Sequence, residues 1–230
     1  MKRVIQLGEN PNSVFNVGAL AVESILGVKK ISKSQIQKKL NFSFNKRNFL
    51  LCYHPVTKQK QSQAHILKRI IESLLKVRDS SIFISYPNSD TNFYELIKVL
   101  KDFHNKFPNR ICLQESFGQL IYFNLMRNMD FIIGNSSSGI IEAPYFHIPT
   151  INIGDRQKGR SHPASVIHSS DSRKALSTSI DKALALKSSK KLMKIDQIFG
   201  TGQSSNKIYK EILLALPHIS SMKNFYNIKH

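Results

Sequence analysis

Short apolar runs that end in turn residues, each followed by a stretch with helical spacing, recur along this chain. They constrain its fold more than anything else in it. Residues 49–53, 81–86, 111–113, 131–133 and 149–153 read as strands by length, β-branching and flanking turns. Residues 14–18 read as a further short strand closing on Gly18. Helical spacing occupies 19–26, with Gly27 as a stop, then 32–40, 120–126 and 140–146. A long helix capped by Thr57 is expected to run to about Val77, with Ile66, Ile70, Leu74 and Leu75 on one face. Phe93, Leu96, Ile97 and Leu100 share another face, and residues after 172 are mostly helical with a break at 199–202. Strands alternating with helices predict an α/β protein with a parallel sheet and right-handed crossovers.

The chain has 230 residues, 41% of them hydrophobic, enough for a sizeable core in one large domain or two small ones. Its formal charge of +19 raises the expectation of a polyanionic partner. The lysines are spread singly or in pairs, as at Lys29-Lys30 and Lys190-Lys191, and no zinc-finger, helix-turn-helix or RNA-binding signature accompanies them. No specific nucleic acid is therefore expected. Cys52 and Cys112 lie inside apolar runs, with no Cys-x-x-Cys, and read as buried reduced thiols rather than a disulfide or metal site. No apolar stretch reaches membrane-spanning length and Met-Lys-Arg-Val-Ile-Gln lacks a signal-peptide core, so a cytoplasmic protein without a membrane partner is expected.

Function is concentrated in residues 134–144, Gly-Asn-Ser-Ser-Ser-Gly-Ile-Ile-Glu-Ala-Pro, directly after the run Phe131-Ile132-Ile133. A strand, a Gly/Ser turn and a helix start present backbone N–H groups and short hydroxyl donors to an anion. Glu142 can accept from ligand hydroxyls, so phosphate and ribose together point to a nucleotide. The turn lacks the lysine and spacing of a Walker A loop, and Ser138 stands where a nucleophile elbow needs glycine. The sequon Asn135-Ser136-Ser137 matters only in a secreted chain. An ordinary helix start with serine as N-cap is the bland alternative. His54, Asn88, Ser136 to Ser138, Asp155 and Arg156 all follow predicted strands. In an open α/β sheet the carboxyl ends of the strands form the ligand crevice, so these residues are expected to converge.

Five segments in order resemble UDP-N-acetylglucosamine 2-epimerases, most closely the hydrolysing type of sialic acid synthesis. They are 3–9 (Arg-Val-Ile-Gln-Leu-Gly-Glu), 14–19 (Val-Phe-Asn-Val-Gly-Ala), 53–57 (Tyr-His-Pro-Val-Thr), 134–144, and 152–160 (Asn-Ile-Gly-Asp-Arg-Gln-Lys-Gly-Arg). The resemblance covers essentially the whole chain. It implies a Rossmann-like parallel sheet flanked by helices, the C-terminal domain of a glycosyltransferase-B-like fold. Residues 1–230 would form one nucleotide-sugar-binding domain, with 1–45 leading in from the interdomain region and 205–230 a terminal helix.

The resemblance also implies the site. Ser136 and Ser137, beside Asn135, would bind the diphosphate, Glu142 the ribose hydroxyls, and Arg156 the same cleft. Asn88 would approach the uridine, with Tyr122 near the uracil. His54 would sit by the diphosphate and sugar as the catalytic candidate. The substrate would be a UDP-sugar and no cofactor is implied. The family enzyme is longer, and its N-terminal domain supplies the acid and base. A missing or separately encoded N-terminal domain is thus the expected partner, with a homo-oligomer in the full-length enzyme. Outside this set, Arg160 is a lesser candidate, Asp155 is assigned no chemistry, and His162 and His168 read as structural or surface residues without metal-ligand spacing. The turn at 200–202 is expected to cap the final helix.

Overall fold

Strands β1 (Arg47–Cys52), β2 (Ser80–Ser85), β3 (Ile111–Gln114), β4 (Phe131–Gly134), β5 (Thr150–Ile153) and β6 (Val166–Ser169) form one sheet in the order β3-β2-β1-β4-β5-β6. Every pairing is parallel. The computed structural model describes residues 1–56, 62–88, 93–189, 191–192, 198–218, 222 and 224–227. Among them the helices are α1 (Lys2–Gln6), α2 (Leu20–Gly27), α3 (Lys33–Leu40), α4 (Gln63–Leu75), α5 (Phe93–Lys106), α6 (Gly118–Met126), α7 (Ser138–Ile141), α8 (Arg173–Ser188) and α9 (Ser204–Ala215). They divide into two compact units, Val28–Ile198 and the paired chain ends Met1–Gly27 with Phe199–His230.

The larger unit holds the sheet. β4 is buried at every position and β1 at all but its first, because helices cover both faces and leave no alternation with solvent. Alternate residues sort the two faces. Phe49, Leu51, Ile82, Ile84, Phe131, Ile133 and Ile151 pack with the apolar stripes of α4, α5 and α8. The rings of Phe49 and Phe131 stack across β1 and β4 at 4.3 Å. On the other face Phe83 meets Phe42 and Phe44 at 5.4 and 4.9 Å. Helix α3 starts at a capping box in which the Ser32 hydroxyl accepts from the Gln35 N–H and the Gln35 side chain accepts from the Ser32 N–H.

This strand order fixes where a ligand can bind. The chain winds outward from β1 through β2 to β3, then returns to β4 on the other side of β1 and winds the opposite way. The reversal between β1 and β4 opens a crevice beyond their carboxyl ends. His54 follows β1 and the serine turn follows β4, so the two strongest sequence signals flank that crevice.

In the smaller unit, α1, α2 and α9 bury few apolar side chains. Val22 and Ile25 are its only fully buried hydrophobics among the described residues. The Glu23 carboxylate accepts from the Ser205 N–H at 2.8 Å and from the Ser205 hydroxyl. These bonds satisfy the open amide of the first turn of α9 and lower the Glu23 carboxyl from its ordinary value.

Several expectations need correction. Residues 14–18 are not a strand; no extended segment of their unit pairs with them among the described residues, and a lone strand has no ladder. α1 gave no usable signal, being one short turn-rich helix with no buried residue. β6 was missed because only Val166 and Ile167 of this edge strand are apolar. α4 begins after Ser62, and Thr57, its expected cap, lies outside the described residues. The helix expected at 140–146 is instead α7 followed by a 3-10 turn, Ala143–Phe146, because Pro144 has no N–H to continue the α-helical ladder. The N-cap of α9 is Gln203 with no side-chain cap bond; the cap comes from Glu23, not from the 200–202 turn.

Candidate functional site

The turn after β4 is built on Asn135, which is 1% exposed. Its N–H donates to the Cys52 carbonyl at 3.1 Å. Its side-chain oxygen accepts from the His54 N–H at 2.7 Å, and its amide nitrogen donates to the His54 carbonyl at 2.8 Å. The side chain thus continues the β1–β4 ladder past the last strand pair, Cys52 and Gly134. The Asn135 carbonyl accepts from Arg156 Nη1 at 3.1 Å and Gln157 Nε2 at 2.8 Å, which folds the loop after β5 onto the turn. His54 Nδ1 accepts from the Asn88 N–H at 3.1 Å. A backbone N–H can only donate, so with Nδ1 accepting, the neutral form of the imidazole is the Nε2–H tautomer.

Two hollows lie at these strand ends. One, of about 530 Å³, is lined by His54, Asn88, Tyr122, Ser136 and Glu142 among others. The second, of about 640 Å³, includes Asn135, Arg156 and Asp155 in its lining. Asn135 joins them through its bonds to His54 and Arg156. Ser137, the N-cap of α7, makes no side-chain cap bond and lines neither hollow. Ser136 Oγ accepts weakly from the Ser138 N–H at 3.4 Å. Because α7 has only four residues it carries little macrodipole, and the anion donors here are individual amides and hydroxyls.

Glu142 sits at the C-cap of α7. Its Oε2 accepts from the Ser138 hydroxyl at 2.6 Å. Ser138 Oγ is 2.7 Å from the Tyr122 hydroxyl, which is 3.3 Å from Cys52 Sγ. Burial pushes the Cys52 thiol up to about 11 and the Tyr122 phenol well above its usual value, so both keep their protons at neutral pH. Burial also raises the Glu142 carboxyl, with the Ser138 bond acting the other way. A carboxyl held above its unfolded value adds stability that is present in acid and lost as pH rises through the folded value. Glu142→Gln is therefore expected to melt higher than the parent at pH 8. The gap should narrow as pH falls towards 5, in melts recorded across that range.

Sequence reasoning counted Ser138 among the converging residues but gave it no role, and it missed Gln157. The i, i+4 spacing of Ser138 and Glu142 was a readable signal. Gln157, 2% exposed, had none, because its role depends on the loop folding back onto Asn135. His162 and His168, six residues apart, come together with Nε2 atoms 3.2 Å apart beside the second hollow. Among the described residues no group of three His, Cys, Asp or Glu is placed to hold a metal.

The family model for UDP-N-acetylglucosamine 2-epimerase matches residues 1–213. The chain belongs to the UDP-N-acetylglucosamine 2-epimerase family. It is 35% identical over 168 residues to a Campylobacter jejuni protein named GDP/UDP-N,N'-diacetylbacillosamine 2-epimerase (hydrolyzing), covering 73% of this chain and 44% of that protein. It is 33% identical over 230 residues to the Escherichia coli polysialic acid biosynthesis protein P7, covering all of this chain and 56% of that one. The chain thus spans about half the length of these curated relatives. Its fold matches the Methanocaldococcus jannaschii UDP-GlcNAc 2-epimerase solved with UDP-GlcNAc and UDP, with a TM-score of 0.70 at 22% identity over 93% of this chain and 58% of that one. The Rossmann-like parallel sheet expected of an epimerase with a glycosyltransferase-B-like fold is present.

Proposed function

We propose that this chain is the UDP-binding half of a hydrolysing UDP-N-acetylglucosamine 2-epimerase that makes N-acetylmannosamine and UDP. The carrying observation is the joining of the serine turn, His54 and Glu142 at the crevice between β1 and β4. In this reading the turn amides with Ser136 and Ser137 hold the diphosphate. Glu142 takes the ribose hydroxyls, Tyr122 and Asn88 border the uridine, and Arg156 anchors the turn from the loop after β5. In the reaction a base removes the C2 proton while UDP leaves from C1, giving a glycal. Water then adds across the double bond with inversion at C2. Donors on the departing diphosphate lower that barrier, each by about 2–4 kcal/mol by analogy with oxyanion-hole donors. His54, whose Nδ1 is occupied by the Asn88 N–H, can direct its Nε2–H to the leaving group.

The acid and base come from the rest of a full-length enzyme, supplied in the same or a separate chain, so these 230 residues alone turn over little substrate. The full-length enzyme is read as a cytoplasmic homo-oligomer. A UDP-linked diacetamido sugar is the second reading, favoured by the name of the Campylobacter relative. Thermal melting with UDP tests the common core of both. Saturation at 100 times the dissociation constant stabilises by about 2.7 kcal/mol, which for a chain of this size raises the melting temperature by roughly 5–10 °C. No rise at millimolar UDP overturns the proposal.

A further inference from the structure

We propose that Tyr122 and Ser138 are positioning residues that aim the Glu142 carboxylate at a vicinal diol of the ligand, with Cys52 closing the far end of the hydrogen-bond chain. This rests on the UDP reading and extends it to residues that hold no ligand atom in it, save the ring of Tyr122. The direction of the chain follows from counting protons. An ionised carboxylate only accepts, so the 2.6 Å contact uses the single Ser138 hydroxyl proton. Ser138 must then accept from Tyr122 at 2.7 Å, which uses the phenolic proton. Tyr122 in turn accepts from the Cys52 thiol at 3.3 Å. Every donor points toward Glu142, and hydrogen bonds in such a file polarise one another.

The file also joins three elements. Cys52 ends β1, Tyr122 lies in α6, and Ser138 opens α7. Glu142 is therefore held by Oε2 against both flanks of the crevice. Its Oε1 accepts no hydrogen bond among the described residues, while the side chain lines the 530 Å³ hollow. One oxygen is fixed and the other is left for a ligand. Two adjacent hydroxyls are the donors such an oxygen can take at one approach, and a nucleoside ribose supplies them.

The test compares UDP with 2',3'-dideoxy-UDP, which lacks both hydroxyls, by calorimetric titration of the 230-residue chain. The parent is expected to prefer UDP by about tenfold or more, the effect of a charge-assisted hydrogen bond. Tyr122→Phe keeps the ring and removes only the hydroxyl. It is expected to cut that preference about fivefold, since the file then no longer orients Glu142. Ser138→Ala, at a half-buried position where alanine suits the helix, is expected to make the same cut while changing dideoxy-UDP affinity less than about twofold, and decides the matter if Tyr122→Phe does not fold. Equal losses for both ligands, or an unchanged preference in the variants, overturn the positioning role alone. A parent that binds neither ligand overturns the UDP reading itself.

Discussion

Gly134→Ala is expected to abolish folding of the larger unit. Gly134 is the last residue of β4, with φ +139°, and a Cβ there would lie 1.9 Å from the Cys52 carbonyl oxygen and 2.6 Å from its carbon. Those atoms belong to the backbone of β1, the strand paired with β4 through Phe49–Phe131 to Cys52–Gly134. Relief would require parting two central strands or moving the turn that carries Asn135. Backbone strain and overpacking together cost more than about 4 kcal/mol, a large share of the roughly 5–15 kcal/mol that stabilises a typical domain. The variant should be insoluble, or lose its cooperative urea transition by circular dichroism. Gly159→Ala is the control. Its φ is +78°, but nothing lies within 4 Å of the added carbon, so only the left-handed penalty of about 1–2 kcal/mol applies. Equal midpoints for the two variants would show that close approach to β1 is not the constraint.

Asn135→Ala should give the second largest effect, on stability and on UDP affinity together. The substitution removes both bonds that the Asn135 side chain, on a residue 1% exposed, makes to the His54 backbone N–H and C=O. Two such hydrogen bonds contribute about 1–3 kcal/mol. His54 is then no longer tied to the serine turn, so the residues that flank the diphosphate in the proposed complex lose their common frame. The urea midpoint should fall with the slope unchanged, and calorimetric titration should show at least about a tenfold loss in UDP affinity, the measure of 1.4 kcal/mol. Asn135→Asp is expected not to rescue either property, because its carboxylate would face the His54 carbonyl that Asn135 Nδ2 now satisfies. Full UDP affinity in Asn135→Ala would remove the turn from the proposed site.

The elements legible in the sequence are those whose signal is local. β1, β2, β4 and β5 are short apolar runs because both sheet faces are covered, and α5 carries its own amphipathic spacing. Legibility failed where pairing or capping decides. Residues 14–18 have strand composition but no partner strand among the described residues, whereas β6 has little strand composition and is held by its parallel register with β5, from Thr150–Val166 to Ile153–Ser169. The site followed the same division. Asn135, Ser136 and Glu142 announced themselves in one motif, and His54 and Arg156 stood out at strand ends. The role of Ser138 was not read because its bond to Glu142 needs the first turn of α7 to form, and Gln157 was missed because its partner lies 22 residues away.

By itself the sequence determined the alternation of strands and helices, the turn chemistry at 134–144 and the resemblance to UDP-sugar epimerases. These depend on side-chain periodicity and on glycine and serine at fixed offsets, which are properties of neighbouring residues. Only the tertiary structure decided that β1 and β4 are adjacent at the point where the winding reverses. From that adjacency follow the close pass of Gly134 against Cys52, the Asn135 bridge to His54 and the file from Cys52 to Glu142. Apart from the Ser138–Glu142 bond within one helix turn, each joins residues far apart in sequence, and the energy that selects such a contact arises only after the sheet has paired.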